Sequence, residues 1–250
     1  SDCVIAGSNF IFKHISENYS EYVPKMKKFL VIFRGINTEY YDPNNINKKD
    51  RSKFFSKLNI EPGKKIILLP GRLTSWKGQE LLIEALNILK TNFGYKNFVA
   101  IILGSDQGRD TYKKKLVRLV EQHRLNNDVI FLEHANSMPI AYSIANVVVS
   151  ASIEPEAFGR VSVEAQSMKK PIIASDIGGS RETIINNRTG LLFKSADPKS
   201  LSEKIDNIFR SDDTTLNAMG NSGRKNVEQK FNVEKMCFST YSEYKKLINA

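Results

Sequence analysis

The chain has 250 residues, which suits one large domain or one domain plus a fragment, but not two full doubly wound domains. Hydrophobic residues make up 41% of it, enough to bury a core, and no apolar run approaches the ~20 residues of a membrane span. The formal net charge is +10. Such an excess of basic residues can serve binding to nucleic acid, contact with an anionic lipid surface, or simply solvation of the protein surface.

The basic residues are dispersed along the chain, in the clusters Lys25/Lys27/Lys28, Lys48/Lys49/Arg51, Lys64/Lys65 and Lys113 to Lys115. A nucleic-acid-binding protein would need a basic stripe interleaved with aromatic residues, so we predict no nucleic-acid partner. Peripheral contact with an anionic membrane and scattered, solvated lysines both stay open.

The first ten residues, SDCVIAGSNF, contain neither the basic segment nor the cleavage site of a signal peptide. Cys3 and Cys237 are two isolated cysteines, a pattern typical of a reducing compartment. The predicted location is therefore the cytoplasm, with the inner face of the membrane as the site of any peripheral contact.

The N-terminal part of the chain predicts a strand over residues 3–6, a helix over 9–18 and a further apolar run over 29–33. A polar stretch, 44–49, predicts a loop. It precedes a short amphipathic helix that carries Phe54, Phe55 and Leu58 on one side.

Residues 65–70, KIILLP, predict a strand, and a helix is predicted to end near Thr91. Between them lies a tight loop with Arg72 and Lys77. Two fixed cations at a strand end can neutralise a diphosphate, and an arginine can bind it bidentately. The loop matches neither the P-loop nor the dinucleotide-binding glycine pattern, and solvated loop charges are the alternative explanation.

Further strands are predicted over residues 98–103 and 128–132, with a basic helix between them over 110–122. His134 follows the second of these strands and is a candidate binding residue. A lone loop histidine is more often simply solvated.

The most informative stretch runs from Ser150 to Arg181 and contains two strand–loop–helix units in series. In the first unit, Glu156 lies on the loop and Glu164 on the helix, which begins near Gly159. In the second unit, a strand over 171–174 leads to a loop with the pair Gly178-Gly179. Such units predict a parallel sheet whose ligand-binding loops follow the carboxyl ends of the strands.

The two carboxylates flank a helix N-terminus formed by Phe158, Gly159 and Arg160. Free backbone N–H groups at such a terminus suit an anionic or hydroxyl-rich group. Because Glu156 lies on the loop and Glu164 on the helix, the two carboxylates are separated and suit two different hydroxyl clusters, such as a sugar and a ribose. The alternative is that Glu156 and Glu164 are surface carboxylates favoured by the helix dipole.

The remainder predicts a short helix through Ile185, a strand over 190–193, and three helices. These helices span residues 201–209 and about 216–231, with a third after the N-cap Asn232. Glycines at 220 and 223 weaken the second of them.

The motif EAFGRVSVE, from Glu156 to Glu164, followed by a strand and the run GGSRE, resembles the retaining GT-B nucleotide-sugar glycosyltransferases of family 4. The Arg72 and Lys77 loop falls where that family has its phosphate-binding pair. Segments such as LLPGRLTSWKGQE resemble the α-proteobacterial lipopolysaccharide-core branch, which includes mannosyltransferases. Glu133 departs from the glycine usual in the family, so the donor base stays open.

The resemblance implies a set of donor-binding residues: Arg72, Lys77, His134, Glu156, Phe158, Gly159, Arg160 and Glu164. Of these, Arg72, Lys77 and Glu156 are the expected catalytic residues. By resemblance, the two cations hold the diphosphate and stabilise the leaving group. Glu164 holds the ribose, while Glu156 and the backbone after it hold the sugar.

The expected fold is α/β, a Rossmann-like doubly wound parallel sheet of about six strands that forms the C-terminal half of a GT-B fold, with extra C-terminal helices. Residues 1–36 are expected to be a remnant of the N-terminal acceptor domain with the hinge. Residues 37–231 would form the donor-binding domain and 232–250 a C-terminal helix. The acceptor domain itself is expected to be missing, which would leave this chain inactive by itself.

The implied activity is transfer of a hexose from a nucleotide-diphosphate sugar to a saccharide or lipid-linked acceptor in envelope polysaccharide or lipopolysaccharide synthesis, with retention. No cofactor is expected. No metal is expected either, because the sequence has neither Asp-x-Asp nor a Cys/His cluster. The alternatives are a nucleotide-sugar epimerase or phosphorylase of GT-B fold, and a non-catalytic nucleotide-sugar-binding module.

Overall fold

The computed structural model describes residues 3–108 and 110–249. The expected segments 1–36 and 232–250 therefore begin and end, respectively, on residues outside these ranges. The chain starts with a strand, a helix and a strand, namely β1 (Val4–Ala6), α1 (Asn9–Asn18) and β2 (Phe29–Val31). The two strands pair in parallel as a small separate sheet.

The main sheet has six parallel strands, namely β3 (Lys65–Pro70), β4 (Phe98–Leu103), β5 (Val129–Leu132), β6 (Val147–Ser150), β7 (Ile172–Ser175) and β8 (Leu191–Phe193). Their order is β5-β4-β3-β6-β7-β8. This order confirms the predicted doubly wound sheet.

Nine α-helices follow α1 within the described residues. They are α2 (Lys48–Ser56), α3 (Gln79–Thr91), α4 (Asp110–Gln122), α5 (Met138–Ile144), α6 (Arg160–Ser167), α7 (Ser180–Thr183), α8 (Pro198–Arg210), α9 (Asp213–Lys230) and α10 (Val233–Ile248). None of the helices in the described ranges has both the length and the apolar character that crossing a bilayer requires.

The predicted loop over residues 44–49 is too long at its end. Helix α2 begins inside the predicted loop because the side chain of Asn47 accepts hydrogen bonds from two backbone N–H groups and caps the helix. Helix α9 confirms the predicted helix over about 216–231; it begins three residues earlier and continues through both of its glycines. A Cβ at Gly220 would lie 2.4 Å from the carbonyl oxygen of Lys169, so the glycine allows α9 to pack closely on the turn after α6.

The core forms two layers, one on each face of the sheet. Alternation along β3 separates them, because Ile67 and Leu69 face one layer whereas Ile66 and Leu68 face the other. Side chains from α3, α4 and α8 complete the first layer, and side chains from α5, α6 and α9 complete the second. Strands covered on both faces are continuously apolar, which is why their positions were readable from the sequence.

The chain winds outward from the centre of the sheet in both directions, because β3 is followed by β4 and β5 on one side and β6 is followed by β7 and β8 on the other. The loops after β3 and β6, residues 71–78 and 151–159, therefore face each other across the switch point of the sheet. In open α/β sheets this crevice is the usual place for a ligand.

Gly78 fixes the contact between these two loops. Its φ is +71°, and a Cβ built on it would lie 1.9 Å from the carbonyl oxygen of Ala151. The backbone N–H of Ile153 also donates to the carbonyl oxygen of Trp76 at 2.8 Å. The loops are thus joined by a backbone contact that leaves no space for a side chain.

We expect Gly78→Ala to destabilise the chain far more than Gly94→Ala, its matched control. Gly94 also has a positive φ, +73°, but nothing lies within 4 Å of the position that its added methyl group would occupy. The control should cost about 1–2 kcal/mol from the left-handed backbone alone. Gly78→Ala should cost about 1–3 kcal/mol more, from the overlap with Ala151. Urea unfolding of both variants measures the difference, and equal losses would contradict the close contact.

Candidate functional site

Lys77 and Glu156 meet across the two central loops. The ammonium nitrogen of Lys77 lies 2.8 Å from Oε1 of Glu156, and both side chains are largely buried. The hydroxyl of Ser152 donates to the same carboxylate oxygen. The ammonium also lies 4.2 Å from the ring centroid of Trp76. The structure thus brings one expected cation and one expected carboxylate together as an ion pair.

Arg72 lies on the same loop but is exposed. Its guanidinium forms no ion pair with any residue in the described part of the chain. Its backbone is held in place, because the carbonyl oxygen of Arg72 accepts a hydrogen bond from the buried side chain of Gln79 at 2.9 Å. Arg72 therefore provides an unpaired positive charge on the rim of the crevice.

The N-terminus of α6 opens into the crevice. Gly159 caps it with a φ of +81°, and none of the described residues accepts a hydrogen bond from the backbone N–H groups of Phe158, Gly159 or Arg160. The ring of Phe158 is buried against Phe231, with 5.6 Å between ring centroids. The backbone groups are thus held by an anchored side chain and are available to an anion.

The glycine pair after β7 supports this loop from the other side. The backbone N–H of Gly179 donates to the carbonyl oxygen of Glu156 at 2.8 Å. A Cβ at Gly178 would lie 2.7 Å from that oxygen, and a Cβ at Gly179 would lie 2.6 Å from the backbone of Phe158. The pair therefore serves close packing against the loop that carries Glu156.

Glu164 is 5% exposed and both of its carboxylate oxygens are occupied. One accepts a hydrogen bond from the Tyr142 hydroxyl at 2.8 Å, and the other lies 2.6 Å from Nε of Arg160. The alternative that Glu156 and Glu164 are merely surface carboxylates is therefore wrong. Arg160 is itself exposed, so the ion pair faces the solvent side of the crevice.

Two buried tyrosines behind Glu164 were not expected from the sequence. Burial raises the pKa of the Tyr142 phenol well above its ordinary value, and the negative charge of Glu164 raises it further. Burial and the same carboxylate also raise the pKa of Tyr41. Both phenols therefore stay protonated, and Tyr142 remains a donor to Glu164.

The segment after β2 contributes a wall of the site that the sequence did not reveal. A cavity of about 580 Å³ lies in front of the α6 N-terminus, lined by residues 34–37, Tyr40, Tyr41 and residues 156–160. The buried hydroxyl of Ser8 also donates to the carbonyl oxygen of Ala157. Residues from the N-terminal segment therefore approach the loop that carries Glu156.

His134 is exposed in the loop after β5, and it forms no hydrogen bond with another residue that the structure describes. Its neighbour Glu133 pairs with Lys113 at 3.0 Å. A binding role for His134 stays a prediction. No cluster of three or more metal-binding side chains occurs among the described residues.

We expect Tyr142→Phe to destabilise the chain by about 1.5–3 kcal/mol, because it leaves a buried carboxylate without one of its donors. Tyr95→Phe is the matched control, since the Tyr95 hydroxyl donates to Asp206 at 3.0 Å in a partly exposed position where water can replace it. The control should lose about 1 kcal/mol or less. Urea unfolding at neutral pH measures both, and equal losses would show that Tyr142 does not hold Glu164.

Comparison with known proteins assigns the fold to a family. The model of the family described as glycosyl transferases group 1 matches residues 50–226. The capsular polysaccharide biosynthesis glycosyltransferase CapM of Staphylococcus aureus is 30% identical over 185 residues, which cover 74% of this chain and 46% of that protein. The chain spans about half the length of such curated relatives.

Superposition on solved structures supports the same family assignment. A glycosyltransferase from Rickettsia africae ESF-5 superposes with a TM-score of 0.90 and 34% identity, covering 99% of this chain and 64% of that chain. Anabaena HepE in complex with UDP and glucose superposes at 0.86 with 24% identity, covering 98% and 64% of the two chains, and shows the fold alone. The match over residues 50–226, which include both central loops, is the decisive one: this chain belongs to the glycosyl transferases group 1 family.

Proposed function

We propose that this chain binds the nucleotide-diphosphate sugar in a retaining hexosyl transfer to a saccharide or lipid-linked acceptor of envelope polysaccharide or lipopolysaccharide synthesis. The observation that carries the proposal is the ion pair of Lys77 with Glu156 beside the open N-terminus of α6. Family membership and the role in capsular polysaccharide synthesis named for CapM support the reaction class. A mannosyl donor and the retaining course rest on the sequence resemblance.

The proposed diphosphate site uses an exchange of ion-pair partners. Lys77 is paired with Glu156, whereas Arg72 is exposed and unpaired within the described residues. A diphosphate between the two cations would attract Lys77 and free the carboxylate of Glu156 to accept hydrogen bonds from sugar hydroxyls. The same cations would then stabilise the charge that develops on the departing diphosphate. The backbone N–H groups at the start of α6 would add donors without a metal.

Glu164 would bind the ribose in this proposal. Its carboxylate is held from behind by Tyr142, and the exposed Arg160 covers its other side. An arginine with an exposed side chain can move aside at small energetic cost, since exposed ion pairs contribute about 0–1 kcal/mol. The ribose hydroxyls would then donate to the oxygen that Arg160 releases.

We propose that transfer of the sugar to the acceptor needs a second domain in addition to this chain. The acceptor must be positioned and water excluded, which in a two-domain enzyme requires closure of a cleft. The curated relatives are about twice as long as the part of them that the chain matches. We therefore propose that this chain alone binds the donor and does not transfer the sugar.

Arg72→Ala combined with Lys77→Ala should weaken binding of UDP or GDP by about 3 kcal/mol or more, since each charge-assisted hydrogen bond contributes roughly 1.5–3 kcal/mol. Binding of uridine or guanosine should hardly change. Calorimetry in the presence of a chelator measures both and also tests the metal-free site. The control is Lys114→Ala with Arg118→Ala, two exposed cations on α4.

Equal losses for nucleotide and nucleoside would remove Arg72 and Lys77 from the site. Loss of wild-type binding on chelation, restored by magnesium or manganese, would contradict the proposed charge balance.

Glu164→Gln should weaken binding of the ribonucleotide and hardly affect its 2′,3′-dideoxy analogue, because the variant removes an acceptor for the ribose hydroxyls. Glu156→Gln should leave the affinity for the nucleoside diphosphate intact and lower the affinity for the sugar-bearing form. Each comparison uses two ligands on one variant, so a general loss of stability cancels. The reverse pattern in calorimetry would mean that the two carboxylates have exchanged roles.

A further inference from the structure

A second group of cations lies at the opposite edge of the sheet. Lys169 and Lys170 precede β7, whereas the loop with Glu156 lies near the carboxyl end of that strand. Lys48 and Arg51 from α2 face the same open cavity, whose volume is about 710 Å³. We call the cavity with these four cations the basic pocket.

The basic pocket contains no neutralising acid. None of its four cations forms an ion pair with a carboxylate in residues 3–108 or 110–249, and no carboxylate lines the cavity. The nearby Asp42 is engaged by Arg224 at 3.0 Å. Asp50 of α2 lines a different cavity, together with Lys53, Phe54, Lys57, Asn136, Ser137 and Ile140.

Two of the four cations have contacts with neighbouring elements, Lys169 through its backbone and Lys170 through its side chain. Lys169 has a φ of +54° in the turn that ends α6, and its carbonyl oxygen is covered by Gly220 of α9. The ammonium group of Lys170 donates to the carbonyl oxygen of Ser143 near the end of α5 at 2.9 Å. The pocket is thus lined by α2, α5, the turn that ends α6 and the segment before α2, and the hydrogen bond of Lys170 joins two of these elements.

The electrostatics of the pocket favour an anion. Burial lowers the pKa of the Lys170 ammonium to about 8, and the positive charge of Arg51 contributes to the shift. The lowered pKa means that burial, and to a smaller extent the charge of Arg51, opposes the positive charge on Lys170. A bound anion would relieve this repulsion.

We propose that the basic pocket binds a phosphoryl group, carried either by a soluble phosphate ester or by the head group of an anionic lipid. Arginine binds phosphate bidentately, and lysine provides point charges around it. Asn44 and Ser52 also line the cavity and supply neutral donors. The inference does not depend on the proposed function, because the pocket shares no residue with the crevice between β3 and β6.

Protection of Lys170 from acetylation tests the pocket in the wild-type chain. Acetic anhydride modifies the free amine, and peptide mass spectrometry follows each lysine during a titration of pyrophosphate into the millimolar range. We expect acetylation of Lys170 to slow by about tenfold or more, because the anion both shields the amine and favours its charged form. Lys114 on α4, exposed and distant, should not change. An unchanged rate at Lys170 would overturn the proposal.

A pair of charge-matched variants separates the pocket from general electrostatics. Arg51→Gln with Lys170→Gln removes two pocket cations, and Lys114→Gln with Arg118→Gln removes the same two residue types from α4. Both are combined with Arg72→Ala and Lys77→Ala, so that the crevice cannot supply the signal. Calorimetry with pyrophosphate and co-sedimentation with vesicles of equal parts phosphatidylcholine and phosphatidylglycerol are then compared.

We expect the pocket variant to bind at least about tenfold more weakly than the control, as the loss of a charge-assisted hydrogen bond predicts. A loss confined to pyrophosphate would identify a soluble phosphate ester. A loss confined to the vesicles, with none for pure phosphatidylcholine, would identify a lipid head group. Equal losses in the two variants, or no binding of either probe, would overturn the proposal.

Discussion

The contact between the loops after β3 and β6 is the constraint on which the site depends. Gly78 lies directly on the carbonyl of Ala151, where even a methyl group has no space. This contact sets the distance between two loops that come from separate parts of the chain, and it brings Lys77 to Glu156. A lysine and a glutamate 79 residues apart in sequence thus form one partly buried pair at the switch point of the sheet.

Both carboxylates of the candidate site are oriented by protein groups before any ligand is present. Glu156 is held by Lys77 and Ser152, and Glu164 by Arg160 and Tyr142. In the proposed function, each positive side chain occupies a position that a ligand hydroxyl would take. Such pairing keeps buried charge compensated, and a ligand that brings phosphates can replace it by attracting the cations.

The two edges of the sheet carry positive charge in different ways. At the carboxyl edge, Lys77 is compensated by a carboxylate and the open N-terminus of α6 adds donors. At the amino edge, Arg51 and Lys170 form no ion pair with any described residue, and burial together with the positive charge of Arg51 lowers the pKa of Lys170. One basic cluster of the sequence, with Lys48 and Arg51, thus shares a pocket with Lys169 and Lys170, where residues of α2 and the turn after α6 line the same cavity.

The sequence by itself determined the strands, their parallel arrangement and the identity of the loop residues. Short continuous apolar runs such as residues 65–70 and 98–103, bounded by turn residues, favour strands covered on both faces, and in a parallel sheet the loops after them share one edge. Local patterns therefore sufficed for the sheet, for the ends of most helices and for the choice of Lys77, Glu156 and Glu164 as candidates.

Only the tertiary structure decided which groups touch. The donation from Tyr142 to Glu164, the wall formed by Tyr41 and the assembly of the basic pocket join residues that are distant in sequence. The hydrophobic periodicity of the sequence does not predict such contacts, because they arise from the packing of the helices on the sheet. The sequence pattern around a tyrosine in a short apolar helix is the same whether its hydroxyl is solvated or donates a hydrogen bond to a buried carboxylate.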